Sequence, residues 1–297
     1  MPRLPAGTAA GGGKVGIRGA ALVTTAIAAL IFGLTEGQQH GFGSAASVAA
    51  LVAAVVLALA FIYSERTLPA PMLPPSLLAA PARRAAVAAM LLIGATLAGY
   101  VYFLSLYLQK VHHFSPVQTG LGLLPSTLNV VLMSTLVTRR LLTRFGARPV
   151  LLAGLVIMTA GQLWLAFMIT RHSGYLDGVL PGLLLTSLSI GLSLPAASVA
   201  ITTGVHGRDQ GIAGAMFTTG QQVGAAVGLA VLATAAAART AAAAGDVVAG
   251  YRLSFLIAAG LGALGVALVA LARSPARSRE PVDTPSSAAS SEQPARD

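Results

Sequence analysis

Cysteine is absent from the 297-residue sequence, and charged residues are scarce. Without cysteine the chain can form no disulfide, no thiolate metal site and no thiol nucleophile. Charged residues make up 9% of the sequence and apolar residues 55%, whereas a soluble domain has about 25% charged and roughly 45–50% apolar residues. This composition argues against a soluble globular enzyme.

Motifs for metal binding and for nucleotide hydrolysis are also missing. The five histidines are isolated in loops, apart from the pair His112 and His113, and their spacing fits no metal site. The sequence contains no Walker phosphate loop. No carboxylate falls within the apolar core of a segment, and Glu36, at the end of the first one, comes nearest. We therefore expect no enzymatic activity, no metal and no cofactor.

Long apolar runs dominate what is present. About 20 apolar residues suffice to cross a bilayer as a helix. Eight segments of this kind are separated by charges or by clusters of glycine, proline and serine, at residues 19–36, 45–63, 85–108, 117–138, 149–170, 179–203, 212–237 and 253–272. The sequence thus predicts an all-α, polytopic membrane protein with eight transmembrane helices in the lipid bilayer.

Basic residues cluster in alternate connections between these segments. Lysine and arginine are retained in cytoplasmic loops of membrane proteins, so their distribution indicates orientation. One set of connections holds Arg3, Lys14, Arg18, Arg66, Arg83, Arg84, Arg139, Arg140, Arg144, Arg148, Arg208, Arg273, Arg277, Arg279 and Arg296. The other set holds only Lys110, Arg171, Arg239 and Arg252. We expect a multi-pass protein of the cell membrane with both termini in the cytoplasm.

The net charge of +10 does not indicate nucleic-acid binding, because the bases lie in short clusters between apolar runs and not on one face. Composition changes along the chain predict five parts. They are a flexible cytoplasmic N-terminus at 1–18, two transmembrane helices at 19–63, a cytoplasmic loop at 64–84, a six-helix bundle at 85–272 and a disordered cytoplasmic tail at 273–297.

The sharpest local pattern is a glycine face on segment 212–237. Gly220, Gly224 and Gly228 are four residues apart, so they lie on one face of a helix, where backbones can approach closely. Gln221 and Gln222 lie beside them, and an amide in hydrocarbon needs a partner. These five residues are candidates for a helix interface, either by ordinary packing or as a sliding contact with another bundle.

Aromatic residues recur along segment 85–108. Tyr100, Phe103 and Tyr107 follow one another at helical spacing, with Tyr102 and Ser105 close by. Tyr107, near the outer boundary of the membrane, is typical of an interfacial anchor. The two deeper residues favour equally a packed core or the wall of a pathway for a greasy or cationic ligand. All three are candidate pathway residues.

Polar residues in two further segments extend the list of candidates. Asn129 lies in mid-span one turn from Pro125, which weakens a backbone hydrogen bond and predicts a kink. Segment 179–203 carries Ser189 and Ser193 close to Pro195, as expected for a bent helix that borders a polar cavity. Serine also bonds to its own helix, so a structural role is the alternative for these hydroxyls.

Three stretches resemble phrases typical of the fourteen-helix drug/proton antiporters of the major facilitator superfamily. They occur in the order of that family, at Glu65–Arg66 with Pro71–Pro74, at Tyr107–Gln109 with Ser115–Pro116, Gly120–Leu121 and Leu124–Pro125, and at Gln222–Val231. Residues 138–154 resemble the second copy of the loop motif of the family, with Arg144, Gly146 and Arg148 in place. Arg139 stands where glycine is usual and Thr143 where an acid is usual, so the resemblance implies no charge relay there.

The resemblance covers residues 15–272 and aligns with the two linker helices and the C-terminal six-helix bundle. It implies the C-terminal portion of a transporter for multidrug or small-molecule efflux by proton antiport. Such a transporter would act on a small hydrophobic or cationic substrate when an N-terminal six-helix half, or a second copy, completes the pathway. The alternative is a non-transporting membrane subunit, a scaffold or a truncated remnant.

Overall fold

The computed structural model describes residues 21–22, 24–29, 32–33, 36, 44–67, 80–205 and 209–272. The predicted N-terminus at 1–18, the tail at 273–297 and residues 68–79 of the predicted loop lie outside the described residues. Every described residue between 21 and 36 is helical. The division of the chain into five parts stays a prediction.

Seven helices follow, and all are α-helical over most of their length. They are α1 (Ala45–Thr67), α2 (Pro81–Lys110), α3 (Pro116–Phe145), α4 (Ala147–Met168), α5 (Tyr175–Thr202), α6 (Asp209–Ala242) and α7 (Val247–Leu271). Within the described residues, α2 to α7 are six helices long and apolar enough to cross a membrane. This architecture confirms the predicted all-α membrane fold.

Local sequence explains where α3 begins and ends. Ser115 caps its first turn, since its Oγ accepts from the Gln118 N–H at 3.2 Å while Gln118 Oε1 accepts from the Ser115 N–H at 2.8 Å. The helix continues to Phe145, seven residues beyond the predicted segment, because backbone hydrogen bonds do not require apolar side chains. Gly146, with φ of +82°, separates α3 from α4 in a conformation that favours glycine.

The six long helices form one bundle with α3 at its edge. Its largest contacts join α4 to α5, α2 to α6 and α4 to α7, whereas α3 contacts chiefly α5. Two clusters of buried side chains fill the interior. One surrounds Met90 and Leu155, and the other surrounds Leu104, Leu165 and Phe255.

Helix α3 is exceptional in how little of it is buried. Only 6% of its most apolar stretch is buried, compared with 56% for both α2 and α5. A π-helical turn, Met133–Val137, interrupts it, and the α-helix resumes at Thr138. Such a turn shifts the following side chains around the helix axis.

Candidate functional site

The predicted aromatic stripe of α2 is buried inside the bundle. Phe103 is 2% exposed, and its ring centroid lies 5.8 Å from that of Tyr251 and 6.5 Å from that of Phe255. The neighbouring Tyr102 is 38% exposed and meets Phe103 edge to face at 5.1 Å. The aromatic ring that α2 presents at its surface is therefore Tyr102, one position away from the predicted stripe.

Two tyrosines of the stripe use their hydroxyl groups to tie α2 to other elements. Tyr100 is 2% exposed and donates to Ser126 Oγ of α3 at 3.1 Å. Tyr107 is fully buried and donates to the Thr170 carbonyl at 2.6 Å, with Ser173 Oγ 2.9 Å away. The rings are packed and the hydroxyls are satisfied, so neither tyrosine presents a free surface to a ligand in this bundle.

Several hydrogen bonds along α3 join it to α5. Asn129 Nδ2 donates to the Leu184 carbonyl at 2.9 Å and to Ser187 Oγ at 2.8 Å, both on α5. Thr138 Oγ1 donates to the Gly191 carbonyl at 2.9 Å. Tyr175 OH donates to the Gly122 carbonyl at 2.7 Å. Because so little of α3 is buried, these polar contacts do much to fix its position.

The serine candidates of α5 lie inside the bundle. Both side chains are fully buried. Ser189 Oγ donates to the Thr186 carbonyl of its own helix at 2.7 Å. Ser193 Oγ lies against Gly154 of α4 and has no hydrogen-bond partner among the described residues. Both hydroxyls therefore lie away from the outer surface of the bundle.

The glycine face of α6 packs against α2 in the same bundle. A side chain at Gly224 would meet the backbone of Leu91, and one at Gly228 would meet Ala95. Gly220 faces Met90 at ordinary contact distance. Of the two alternatives for this face, the structure shows ordinary packing at Gly224 and Gly228, whose open sides are filled by α2.

The two glutamines of α6 lie beside this contact. A side chain at Gly94 of α2 would meet the Gln221 carbonyl, so the two backbones also approach closely there. Gln221 itself is half-buried, and Gln222 is exposed. The pair therefore straddles the edge of the α2–α6 contact.

The outer faces of the bundle differ in chemistry. On α7 the exposed large side chains are Leu256, Leu264, Leu268 and Leu271, and on α4 they are Val156, Leu163, Phe167 and Met168. On the first half of α6 the exposed residues are instead small or polar. They are Gln210, Gly211, Gly214, Ala215, Thr218, Thr219 and Gln222, and Asp209 is partly exposed. Leucine-rich faces suit lipid, whereas exposed amides and hydroxyls in hydrocarbon are costly.

The residues of the loop motif have separate structural roles. The Arg144 guanidinium lies 5.2 Å from the centre of the Phe145 ring. Arg148 Nε donates to the Val269 carbonyl at 3.2 Å and its Nη2 to the Ala270 carbonyl at 2.7 Å, so it caps the end of α7. With the positive φ of Gly146 between them, the motif forms a turn and a helix cap.

A second arginine mirrors this cap at the opposite end of the same helix pair. Arg252, near the start of α7, donates from Nε to the Ala166 carbonyl at 2.7 Å, near the end of α4. Helices α4 and α7 therefore each supply the arginine that satisfies carbonyls at the end of the other. Cations near a helix C-terminus also interact favourably with its dipole.

Titratable groups of the described loops lie at the end of the bundle opposite Arg148. Burial lowers the pKa of His112, Asp177 opposes this shift, and the Nε2 of His112 is buried without a partner among the described residues. Asp246 accepts from Arg171 at 3.0 Å. Partial desolvation would raise the pKa of Asp246, but the hydrogen bonds from Arg171 and from backbone N–H groups lower it below its usual value.

The described residues contain no cluster of three histidine, cysteine or acidic side chains that could hold a metal ion. The described carboxylates of α2 to α7 lie within one turn of a helix start, at Asp177 of α5 and Asp209 of α6. Among the described residues, the candidate site is thus a surface of small, polar and aromatic groups. No described acidic side chain of α2 to α7 lies in the middle of a helix.

Comparison with known proteins identifies the family. A sequence profile of the Major Facilitator Superfamily matches residues 8–228 and again residues 126–295. The chain is 33% identical over 266 residues to a cephamycin export protein of Amycolatopsis lactamdurans, covering 88% of this chain and 54% of that protein. It is 32% identical to a puromycin resistance protein of Streptomyces alboniger, covering 77% of this chain and 46% of that protein.

A tetracenomycin C resistance and export protein of Streptomyces glaucescens is 29% identical over 227 residues, which are 75% of this chain and 41% of that protein. The chain thus spans about half the length of the curated relatives it matches. The two profile matches together extend over almost the whole sequence. The chain belongs to the major facilitator superfamily.

Proposed function

We propose that this chain forms one six-helix half of a transporter that exports small antibiotic-like molecules, and that a second bundle completes the pathway. The relatives named for export or resistance support this function. The share of their length that the chain covers supports the requirement for a second bundle. The two bundles would rock about a site near the middle of the bilayer and expose it to each side in turn.

The exposed face of α6 is the observation that carries this proposal. Thr218 and Gln222 are exposed there, on a helix that is apolar enough to cross the membrane. Thr218 Oγ1 donates to the Gly214 carbonyl of its own helix at 3.3 Å, but a lipid environment would leave the Gln222 amide without a partner, whereas a water-filled pathway or a second bundle would satisfy it. The exposed large side chains of α7 are leucines instead, and we assign that face to lipid.

Tyr102 is the residue that we assign to contact with substrate. Its exposed ring is supported from behind by Phe103, which in turn packs on Tyr251 and Phe255. A rigidly held aromatic face attracts hydrophobic molecules by burial and cations through its π-electrons. Among the predicted pathway candidates, Asn129 is half-exposed, and we keep it as a residue that lines the pathway. Tyr100, Phe103, Tyr107, Ser189 and Ser193 are buried and support the pathway from within.

We assign proton coupling, as part of the same proposal, to the second bundle. A proton-carrying carboxylate in a membrane protein normally lies within the hydrocarbon region. The described acids of α2 to α7 lie only at helix starts. We further propose that the end of the bundle with Arg83, Arg144 and Arg148 faces the cytoplasm of the cell, as the distribution of basic residues predicts.

A cysteine-labelling experiment tests the assignment of the two outer faces. The chain has no native cysteine, so Thr218→Cys and Leu264→Cys give single labelling sites. We expect a water-soluble maleimide to label Cys at 218 in membranes several times faster than Cys at 264, because thiolate forms only where water is present. Labelling in denaturant provides the control for total thiol. Equal protection of both positions would show that α6, like α7, faces lipid.

An efflux assay tests the function itself. We expect cells that lack their own pumps to accumulate a fluorescent dye equally with this chain and with an empty vector. Co-expression with the first six helices of the cephamycin export protein should lower accumulation, and those six helices alone are the control. Strong efflux by the lone chain would contradict the need for a different second bundle. A complex that forms without transporting would favour the scaffold or subunit alternative.

A further inference from the structure

A groove at the Arg-rich end of α3 has no role in the pathway described above. Its volume is about 330 Å³, and it opens on the outer surface of the bundle. The residues that line it come from consecutive turns of one helix face and include two cations, two hydroxyls and one large apolar side chain. They are Thr135, Leu136, Arg139, Arg140 and Thr143.

The positive charges of the two arginines of the groove are not neutralised by any described acidic side chain. Within the described part of the chain, neither Arg139 nor Arg140 forms an ion pair or a side-chain hydrogen bond. Arg83 differs, because its Nε donates to the Ile201 carbonyl at 3.1 Å and its Nη2 to the Thr203 carbonyl at 3.1 Å. Arg148 caps α7 in the same manner. The groove therefore presents two adjacent guanidinium groups that have no partner among the described residues, and their charge suits an anionic ligand.

The surface beside the groove, toward the middle of the helix, is apolar. Val131, Leu132 and Leu136 are 55%, 49% and 54% exposed, and the last of them also lines the groove. Leu136 is three residues before Arg139 and four before Arg140, so these side chains are neighbours on the helix surface. A ligand that occupies the groove can therefore place an anionic group on the arginines and an apolar chain along the preceding turns.

The π-helical turn fixes this arrangement. Thr138 is fully buried, and its Oγ1 lies 2.9 Å from both the Gly191 carbonyl of α5 and the Met133 carbonyl, between which its single proton is shared. This contact pins one side of the helix to α5 immediately before the arginines. The helix cannot turn to bury Arg139 and Arg140 without breaking it, so both guanidinium groups are held on the outside.

We propose that this groove binds the phosphate group of an anionic phospholipid, with an acyl chain lying along Val131, Leu132 and Leu136. Guanidinium groups bind phosphate through paired, charge-assisted hydrogen bonds. Basic residues at the ends of membrane helices lie at the level of the lipid headgroups, where such phosphates are abundant. A soluble anion would match the arginines but would make no contact with the apolar surface beside them.

Lipid titration of the purified full-length chain in detergent tests this site. The probes are dioctanoyl phosphatidylglycerol, dioctanoyl phosphatidylcholine and inorganic phosphate, and the readout is the shift in thermal unfolding temperature. We expect phosphatidylglycerol to raise this temperature and the other two probes to have little effect. In Arg139→Gln/Arg140→Gln we expect the affinity for phosphatidylglycerol to fall by at least about tenfold, since two charge-assisted bonds are removed.

Matched variants separate the site from general charge effects. Arg239→Gln removes an exposed arginine of α6 and should leave the lipid shift unchanged. Arg139→Lys/Arg140→Lys keeps the charge but loses paired hydrogen bonding, so its affinity should be intermediate. An equal lipid shift in the double glutamine variant, or no shift in the unaltered chain, would overturn the proposal. An equal response to inorganic phosphate would reduce the site to one for small anions and overturn the lipid assignment.

Discussion

Replacement of Gly224 by leucine is expected to destabilise the bundle strongly by forcing α2 and α6 apart. A Cβ at this position meets the backbone of Leu91, which cannot rotate away as a side chain can. Overpacking in well-packed sites typically costs roughly 1–3 kcal/mol, and contact with backbone places this substitution at the upper end of that range. Unfolding of the purified chain in detergent, followed by circular dichroism, measures the loss.

Gly214→Leu is the matched control for this experiment. It adds the same side chain to the same helix, ten residues earlier, where a Cβ meets nothing within 4 Å. We expect Gly214→Leu to leave the stability of the lone chain nearly unchanged. Leucine favours a helix more than glycine does, so an equal loss of stability in both variants would indicate a general effect of the added side chain and would contradict the role of the α2–α6 contact.

Replacement of Arg148 by methionine is expected to release the end of α7 from α4. The substitution keeps much of the side-chain volume but removes donors to the Val269 and Ala270 carbonyls. Hydrogen bonds to charged groups are worth about 1.5–3 kcal/mol, and the partial exposure of Arg148 favours the lower part of this range. Faster amide hydrogen exchange confined to the last turns of α7 should accompany the lower unfolding free energy.

Two variants control for the loss of a positive charge. Arg239→Met removes an exposed arginine from α6 and should change neither stability nor exchange in α7. Arg148→Lys retains the charge near the end of α7 and should recover part of the stability through the helix dipole. Unchanged exchange at the end of α7 in Arg148→Met would contradict the capping role.

The positions of the long helices could be predicted because each needs about 20 apolar residues, and this requirement is visible in composition alone. Whether a given helix face packs inside the bundle or lies on its outer surface could not be predicted. Lipid is as apolar as leucine, so packed and lipid-facing surfaces use similar residues. The aromatic residues of α2 illustrate this limit, since Phe103 is buried and its neighbour Tyr102 is exposed.

The candidate site could be predicted only in part, because the local sequence does not reveal which residues of other helices it contacts. The spacing of Gly224 and Gly228 indicated a close helix contact, but their partner on α2 lies about 130 residues earlier in the chain. Nothing in the local sequence identifies that partner. Arg148 was found through its motif, yet its role as a cap depends on where α7 ends, which only the tertiary structure shows.

The reciprocal arginine caps of α4 and α7 have a consequence for biosynthesis. Arg252 is 86 residues downstream of the Ala166 carbonyl that it binds, so a ribosome adding about 5–20 residues per second reaches it roughly 4–17 s later. During that interval the end of α4 must be satisfied by water or by the insertion machinery. Emergence of α7 therefore supplies both the arginine that caps α4 and the carbonyls that Arg148 caps.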